Sequence, residues 1–211
     1  MEDHRNRRGV RCPRCGSLER HRILWLFLQR ETNLLSEPLA VLHVAPEKVL
    51  ADRLCGRRNL SYVSGDVNPA HAMEVMDITA IPRPDSTFDV VLCNHVLEHV
   101  PDDIAAVTEL HRVLKRGGVA YMQHPIDYNR RTTYEDPAIT APADRLREFG
   151  QEDHVRWYGT DHIDRLRAGG FEVTFRRYVD ELGDSDVGRF VLRDGSDGVR
   201  AADIYVCRRN A

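Results

Sequence analysis

Short apolar runs alternate along this chain with longer stretches that mix apolar and polar residues. Four runs have the composition of buried strands, and they lie at 41–45 (VLHVA), 60–66 (LSYVSGD), 88–94 (FDVVLCN) and 118–124 (GVAYMQH). The stretches at 48–55 and 102–114 have helical spacing. Because buried strands joined by helices are typical of a parallel sheet covered on both faces, the pattern predicts an α/β fold.

Both ends of the chain add elements to this plan. Leu18 to Arg30 is dense in apolar residues and free of Gly and Pro, which predicts a buried helix with Ser17 as its N-cap. Near the C-terminus we expect a helix at 161–168, strands at 171–179 and 202–207, and a polar loop at 183–198. The two strands are expected to form a hairpin at a sheet edge.

The pattern divides the chain into one main domain with additions. Residues 1–38 form an N-terminal extension with a cysteine pair and a helix, and residues 39–211 form the main domain. The irregular stretch from 125 to 160 is too long for a simple connection. We therefore expect it to cap the substrate site.

Composition indicates which broad class of protein this chain belongs to. The hydrophobic fraction of 42% and the charged fraction of 30% are those of an ordinary globular protein, and no apolar run is long enough for a membrane span. The first residues lack the apolar segment of a secretory signal, and the five cysteines are odd in number, so we expect a cytoplasmic protein.

The N-terminal thirty residues are basic although the net charge is −3. They hold eight arginines against three acidic residues. A solvated surface with local ion pairs is the simplest interpretation, and contact with an anionic substrate or with RNA is the alternative.

Polar residues follow the ends of the predicted strands, where an open α/β sheet places its ligands. Asp66 ends the second strand about 20 residues after the first turn, where a carboxylate can accept hydrogen bonds from two ribose hydroxyls. Asp77 and Ile78 precede the next long strand, and Asn94 and His95 follow it.

Four segments in this order carry a family resemblance: VLHVAPE, YVSGDVNP, MDITAIPRPDSTFDVVLCNHVLEHVPDD and ELHRVLKRGGVAYMQHPI. Over residues 39–126 the chain resembles class I S-adenosylmethionine-dependent methyltransferases of the type 11 group. CPRCGSLERHR (12–22) and FGQEDHVRWYG (149–159) resemble the CPxCGSxxRHR and FGQxDHVRxYG motifs of a subfamily. The resemblance implies a Rossmann-like seven-stranded sheet, mostly parallel with an antiparallel edge strand, and S-adenosylmethionine as cofactor.

The resemblance also implies where the cofactor binds. Asp66 with Val67 would hold the ribose, Asp77 and Ile78 the adenine, and Asn94 and His95 the region of the methionine. The first loop departs from the family because His43 stands in place of the acidic residue and Ala45-Pro46-Glu47 in place of the glycines. A methionine-bearing cofactor has no phosphate to bind, so Ala45 and Pro46 can form the turn while Glu47 meets the cofactor's ammonium group.

Three histidines are candidates for the base that removes a proton from the acceptor: His95, His99 and His154. His154 is favoured because Asp153 beside it could orient its ring. For His99 a packing or capping role is an equal alternative.

Two segments could bind a metal. Cys12 and Cys15 have the spacing of half a zinc site, which His21 could help to complete; a metal-free packed pair or a redox pair is the alternative. His95, Glu98 and His99 resemble the metal site of some ubiquinone-pathway O-methyltransferases, although many relatives with this pattern need no metal.

The sequence thus predicts an enzyme that methylates a hydroxyl, carboxyl or amine of a small molecule or modified peptide. RNA methylation through the basic N-terminus and a non-catalytic binding protein on the same fold are the alternatives. Neither the acceptor nor the oligomeric state can be derived from the sequence.

Overall fold

A computed structural model of the chain describes residues 1–4, 7–192 and 199–210. The strands are β1 (Glu2–His4), β2 (Arg7–Arg11), β3 (Leu39–Val44), β4 (Leu60–Asp66), β5 (Glu74–Val75), β6 (Phe88–Asn94), β7 (Leu114–Gln123), β8 (Ile126–Asp127), β9 (Tyr134–Glu135), β10 (Arg156–Trp157), β11 (Glu172–Arg176), β12 (Val199–Arg200) and β13 (Ile204–Arg208). The helices are α1 (Glu19–Glu31), α2 (Lys48–Leu54), α3 (Asp103–Val113), α4 (Pro142–Phe149), α5 (His162–Ala168), α6 (Tyr178–Glu181) and α7 (Asp184–Phe190), with a 3₁₀ turn at Leu97–His99.

Seven strands form one sheet in the order β11-β13-β7-β6-β3-β4-β5. The five strands from β7 to β5 pair in parallel, whereas β13 and β11 pair antiparallel. The predicted α/β fold, with a mostly parallel sheet and an antiparallel edge, is confirmed. The strands β11 and β13 are neighbours, as predicted, and the described part of the chain between them contains helices α6 and α7 and strand β12.

The two faces of the sheet are covered by different helices. Successive residues of a strand point to opposite faces, so Val41 packs with α1 on one face and Leu42 packs with α3 on the other. Four residues of α1 are almost fully buried there: Ile23, Leu24, Phe27 and Leu28. Helix α1 therefore belongs to the hydrophobic core of the sheet.

Several local expectations are corrected. Leu18, and not Ser17, is the N-cap of α1; Ser17 instead accepts hydrogen bonds from Cys15 and Arg22. The strand expected at 171–179 ends at Arg176. Of the loop expected at 183–198, residues 184–190 form α7, and residues 193–198 lie outside the described residues.

The stretch from 125 to 160 contains three short strands and one helix. Strands β9 and β10 pair antiparallel, and β8 pairs with β12. None of the helices in the described part of the chain is long and apolar enough to cross a membrane.

Candidate functional site

The carboxyl ends of β3, β4 and β6 open onto a cavity of about 910 Å³. Its wall includes eight residues of the predicted site: Ala45, Asp66, Val67, Asp77, Ile78, His95, His99 and Asp153. Parallel strands bring their carboxyl ends to one edge of the sheet, which explains why segments distant in sequence meet here. The cavity therefore lies at the edge of the sheet where the sequence predicted that ligand residues would meet.

Asp66 and Asp77 are the two carboxylates that the sequence placed at the cofactor site, and both line this cavity. One oxygen of Asp66, Oδ1, accepts a hydrogen bond from the backbone N–H of Asn68 at 2.7 Å. Asp77 Oδ1 accepts from the backbone N–H and the hydroxyl of Thr79, at 2.8 and 2.7 Å. These hydrogen bonds from Thr79 lower the pKa of Asp77.

Thr79 is a residue that the sequence analysis missed. It fixes the Asp77 side chain in a turn between the two residues, because both of its hydrogen bonds go to Oδ1. An Asp followed two residues later by Thr is a recognisable turn signal. The turn presents a prepositioned carboxylate to the cavity.

Two cavity residues adopt left-handed backbone conformations that are unusual outside glycine. Ala45, after β3, has φ of 43°, and His95, after β6, has φ of 54°. The backbone N–H of Ala45 donates to Gly65 at 2.8 Å and that of His95 to Gln123 at 2.7 Å, so each turn is tied to the neighbouring strand. Such conformations cost about 1–2 kcal/mol per residue and cluster at functional sites.

His43 and Glu47 do not line the cavity but form a buried pair behind its first loop. His43 is fully buried, with Nδ1 2.9 Å from the Tyr62 hydroxyl and Nε2 3.0 Å from Glu47 Oε2. Burial disfavours the ionised form of Glu47, but the hydrogen bond and charge of His43 outweigh it and lower the pKa of Glu47 to about 2. The pair thus fixes the loop from beneath.

The remaining predicted cofactor residues also lie outside the cavity wall. Asn94 is buried, and its amide Nδ2 lies 3.5 Å from Glu47 Oε2. Pro46 lines a separate shallow depression that it shares with Tyr62. Direct cofactor contacts by His43, Pro46, Glu47 and Asn94 are therefore not supported by this arrangement.

His95 lines the cavity, yet both of its ring nitrogens are engaged. Nε2 lies 2.8 Å from the carbonyl oxygen of Ala201, and Nδ1 lies 3.3 Å from Glu98 Oε1. Burial, and then the charge of Arg20, lower the pKa of His95. With no free nitrogen, His95 is poorly placed to take a proton from an acceptor.

The expected pairing of Asp153 with His154 is corrected by the structure. Asp153 Oδ2 lies 3.3 Å from Nδ1 of His99, and both residues line the cavity. His154 is 1% exposed and stands behind the wall, with its ring against that of His99 at a centroid distance of 4.8 Å. Of the three histidines proposed as base, His99 is therefore the one with an oriented ring at the cavity.

Glu98 is a buried carboxylate surrounded by histidines. It is 1% exposed, with Oε1 near His95 and Oε2 3.6 Å from Nδ1 of His124. Burial disfavours its ionisation, but the neighbouring His124 and His95 side chains outweigh this and keep the pKa of Glu98 well below its usual range. Burial lowers the pKa of His154, which favours its neutral form.

Arg156, from the second subfamily-like segment, holds the turn that forms this wall. Its guanidinium is 2% exposed and donates to the carbonyl oxygens of Leu97, Val100 and Pro101 and to Glu135. The Leu97 carbonyl also accepts from the Val100 N–H within the 3₁₀ turn, and Arg156 adds a second donor to it while binding the two carbonyls that follow the turn. The segment from 149 to 159 thereby fixes the position of His99.

The cysteine pair lies away from this cavity, at a second cavity of about 340 Å³ whose wall includes Cys12, Cys15 and His21. The Cys15 thiol donates to Ser17 Oγ at 3.3 Å, and hydrogen bonds from Ser17 lower the pKa of Cys15 to about 7. His21 Nδ1 accepts from the Leu18 N–H at 3.2 Å, and its Nε2 is buried without a hydrogen-bond partner, 4.0 Å from Glu47. Zinc at Cys12 and Cys15 stays a prediction.

Residues 42–122 match the family described as methyltransferase domain. The chain is 29% identical over 103 residues to 27-O-demethylrifamycin SV methyltransferase of Amycolatopsis mediterranei, a match that covers 48% of this chain and 36% of that protein. The chain spans only 15–36% of the length of the curated relatives it matches.

Solved structures show the same fold over most of the chain. An S-adenosylmethionine-dependent methyltransferase from Mesorhizobium loti has a TM-score of 0.62 at 13% identity, covering 88% of this chain and 98% of that chain. The [4+2]-cyclase SpnF has a TM-score of 0.63 at 15% identity, covering 90% and 81%. At these identities the likeness shows the fold alone; together with the domain match, the findings support an S-adenosylmethionine-dependent methyltransferase.

Proposed function

We propose that the protein transfers the methyl group of S-adenosylmethionine to a hydroxyl, carboxyl or amine of a small molecule or modified peptide. The observation that carries the proposal is that Asp66 and Asp77 line one cavity of about 910 Å³ with His99 and Asp153. A cavity of this size accommodates a nucleoside and part of an acceptor.

In this proposal Asp66 accepts hydrogen bonds from the ribose hydroxyls, and Asp77 accepts one from the exocyclic amine of adenine. Ile78, which is 5% exposed, gives the adenine ring an apolar surface. The left-handed turns at Ala45 and His95 bring backbone close to the remainder of the cofactor.

The acceptor would lie toward His99 and Asp153, where the segment from 125 to 160 contributes Asp153 to the cavity wall. In the transfer, the methyl carbon forms its new bond with the acceptor atom as its bond to the sulfonium sulfur breaks. The protein contributes alignment and exclusion of water. The relatives' names support methyl transfer but leave the acceptor open, and SpnF indicates that this fold also hosts a different reaction.

The test is a calorimetric titration with S-adenosylmethionine of the wild type, Asp66→Ala and Asp77→Ala. Asp52→Ala, at an exposed carboxylate paired with Lys48, is the matched control. We expect binding that each cavity variant weakens by about tenfold or more, since hydrogen bonds to charged groups contribute about 1.5–3 kcal/mol. Undiminished binding in both cavity variants would refute the proposed site.

A second arm tests turnover. Formation of S-adenosylhomocysteine is measured by mass spectrometry with panels of phenols, carboxylic acids, amines and short RNAs. Turnover with RNA, falling steeply with salt, would favour RNA methylation. Cofactor binding without turnover on any panel would favour a non-catalytic binding protein.

A further inference from the structure

Three side chains converge at and just behind the cavity wall, where His99 lines the cavity. Glu98, His99 and His154 each offer one ligand atom, and these atoms lie within 4.8 Å of one another. Among the described residues, this is the group in which three or more potential metal ligands have their ligand atoms this close together. Two come from the turn after β6 and the third from the segment at 149–159 that packs against this turn.

Two atoms of the group are buried with no hydrogen-bond partner: Glu98 Oε2 and His154 Nε2. An unpaired polar atom in the interior costs about 1–3 kcal/mol, so such atoms need an explanation. Both residues are only 1% exposed, which makes a bulk-water partner implausible for either atom.

The surroundings orient the group as metal ligands are usually oriented. Nδ1 of His154 lies 3.1 Å from the carbonyl oxygen of Phe149, so it carries the proton and Nε2 keeps its lone pair. The ring of His99 is held by Asp153 at 3.3 Å, and the second oxygen of Glu98 lies 3.3 Å from His95. Outer partners of this kind fix the tautomer and direction of metal-ligating side chains.

The geometry points to a binding site for one divalent first-row transition-metal ion, held by Glu98, His99 and His154. Two imidazoles and one carboxylate suit Zn²⁺, Co²⁺, Mn²⁺ or Fe²⁺. The sequence suggested His95, Glu98 and His99 as ligands. The nitrogens of His95 instead contact Ala201 and Glu98, and His154 takes the place of His95 in the set.

The metal site itself does not depend on the proposed function. Only its role in catalysis, described next, rests on that function. His99 lines the cavity, so an ion beside it would leave a coordination position toward the acceptor. A hydroxyl that coordinates the ion loses its proton more readily, and Asp153 on the cavity wall would receive that proton. The acceptor class would then be a hydroxyl compound.

The test uses Co²⁺ alone as the probe, on the full chain with Cys12→Ser and Cys15→Ser, so that the thiols cannot bind it. We expect one equivalent of Co²⁺ with visible d–d absorption and without a thiolate charge-transfer band. His154→Gln and His99→Gln are each expected to weaken binding by about tenfold or more. His71→Gln, at an exposed histidine, is the control and should leave binding unchanged.

His99→Gln keeps the test decisive if the buried His154 variant fails to fold, because the His99 side chain is 33% exposed. No Co²⁺ binding in the double serine variant, or equal binding after the folded glutamine substitutions, would overturn the inference. Parallel titrations with S-adenosylmethionine separate the two proposals. Co²⁺ binding without cofactor binding contradicts the proposed function alone, and cofactor binding without Co²⁺ binding contradicts the metal site alone.

Discussion

His43 Nε2 lies 3.0 Å from Glu47 Oε2 beneath the loop that follows the first strand of the main sheet. The Tyr62 hydroxyl holds the other nitrogen of His43. This buried chain of contacts explains how the loop keeps its shape without glycine. Ala45 in this loop has a left-handed conformation, and its backbone N–H donates to the Gly65 carbonyl at 2.8 Å.

The acid sensitivity of the fold should depend on Glu47. Its pKa in the folded protein is about 2, below the usual 4.5, so between these values the unfolded chain binds a proton that the folded protein does not. The free energy of unfolding should therefore fall as the pH drops from about 4.5 toward 2, by up to about 3 kcal/mol from this group.

Urea unfolding at pH 7 and pH 3 checks this expectation. Glu47→Gln should be less stable at pH 7 and lose less stability between the two pH values than the wild type. Glu152→Gln, at an exposed position, should follow the wild type. An identical pH dependence for wild type and Glu47→Gln would exclude the proposed role of this carboxylate.

Ala45→Gly should leave stability unchanged or raise it by up to about 1 kcal/mol. Glycine removes the cost of the left-handed backbone but loses more conformational entropy on folding. Ala51→Gly, inside helix α2, is the comparison, and there we expect a loss of about 1 kcal/mol. Thermal unfolding of both variants measures the two changes in stability. Equal losses of stability would mean that the backbone of Ala45 is not strained.

Arg156→Met should destabilise the protein by about 3 kcal/mol or more. The substitution removes the buried guanidinium that donates to the carbonyls of Leu97, Val100 and Pro101 and that also faces the buried carboxylate of Asp103 at 3.8 Å. Arg147→Met, at a 66% exposed side chain, should change stability by less than about 0.5 kcal/mol. Denaturant unfolding gives both values, and similar small effects would argue against a buried clamp.

The Cys15 thiol should react at unusually low pH. With a pKa of about 7, its thiolate fraction rises through neutrality, so alkylation by iodoacetamide should be half-maximal near pH 7. Ser17→Ala removes a hydrogen bond that lowers this pKa and should move the midpoint upward. Mass spectrometry of chelator-treated protein follows the reaction; a midpoint that Ser17→Ala leaves in place would contradict the assigned cause.

The hydrophobic pattern predicted the sheet well because strands buried on both faces leave continuous apolar runs. Strands at 60–66 and 88–94 have the predicted bounds. Two-residue strands such as β5 were missed, since so short a segment has no period to detect. Helix α7 was missed because Asp- and Gly-rich composition favours a loop, while contacts of Val187 and Phe190 with the core stabilise a helix.

Asp66 and Asp77 were predicted because strand ends determine their position, whatever the surrounding packing. His43 was misjudged, although the two-residue period places it on the same sheet face as Val41 and hence in the interior. Asp153 and His154 were misjudged because neighbours in an irregular segment need not point the same way. Only the tertiary packing of residues 149–159 against the turn at 97–101 reveals that Asp153 meets His99.

The packing of helix α1 on the sheet limits how far the protein can be shortened. The stretch that matches the family, 42–122, includes Val90, Leu92 and Tyr121, whose side chains rest on α1. A fragment trimmed to that stretch would present this apolar surface to water and would be prone to aggregate. Biochemical work on the domain therefore needs the residues from Leu18 onward, including those that no catalytic argument requires.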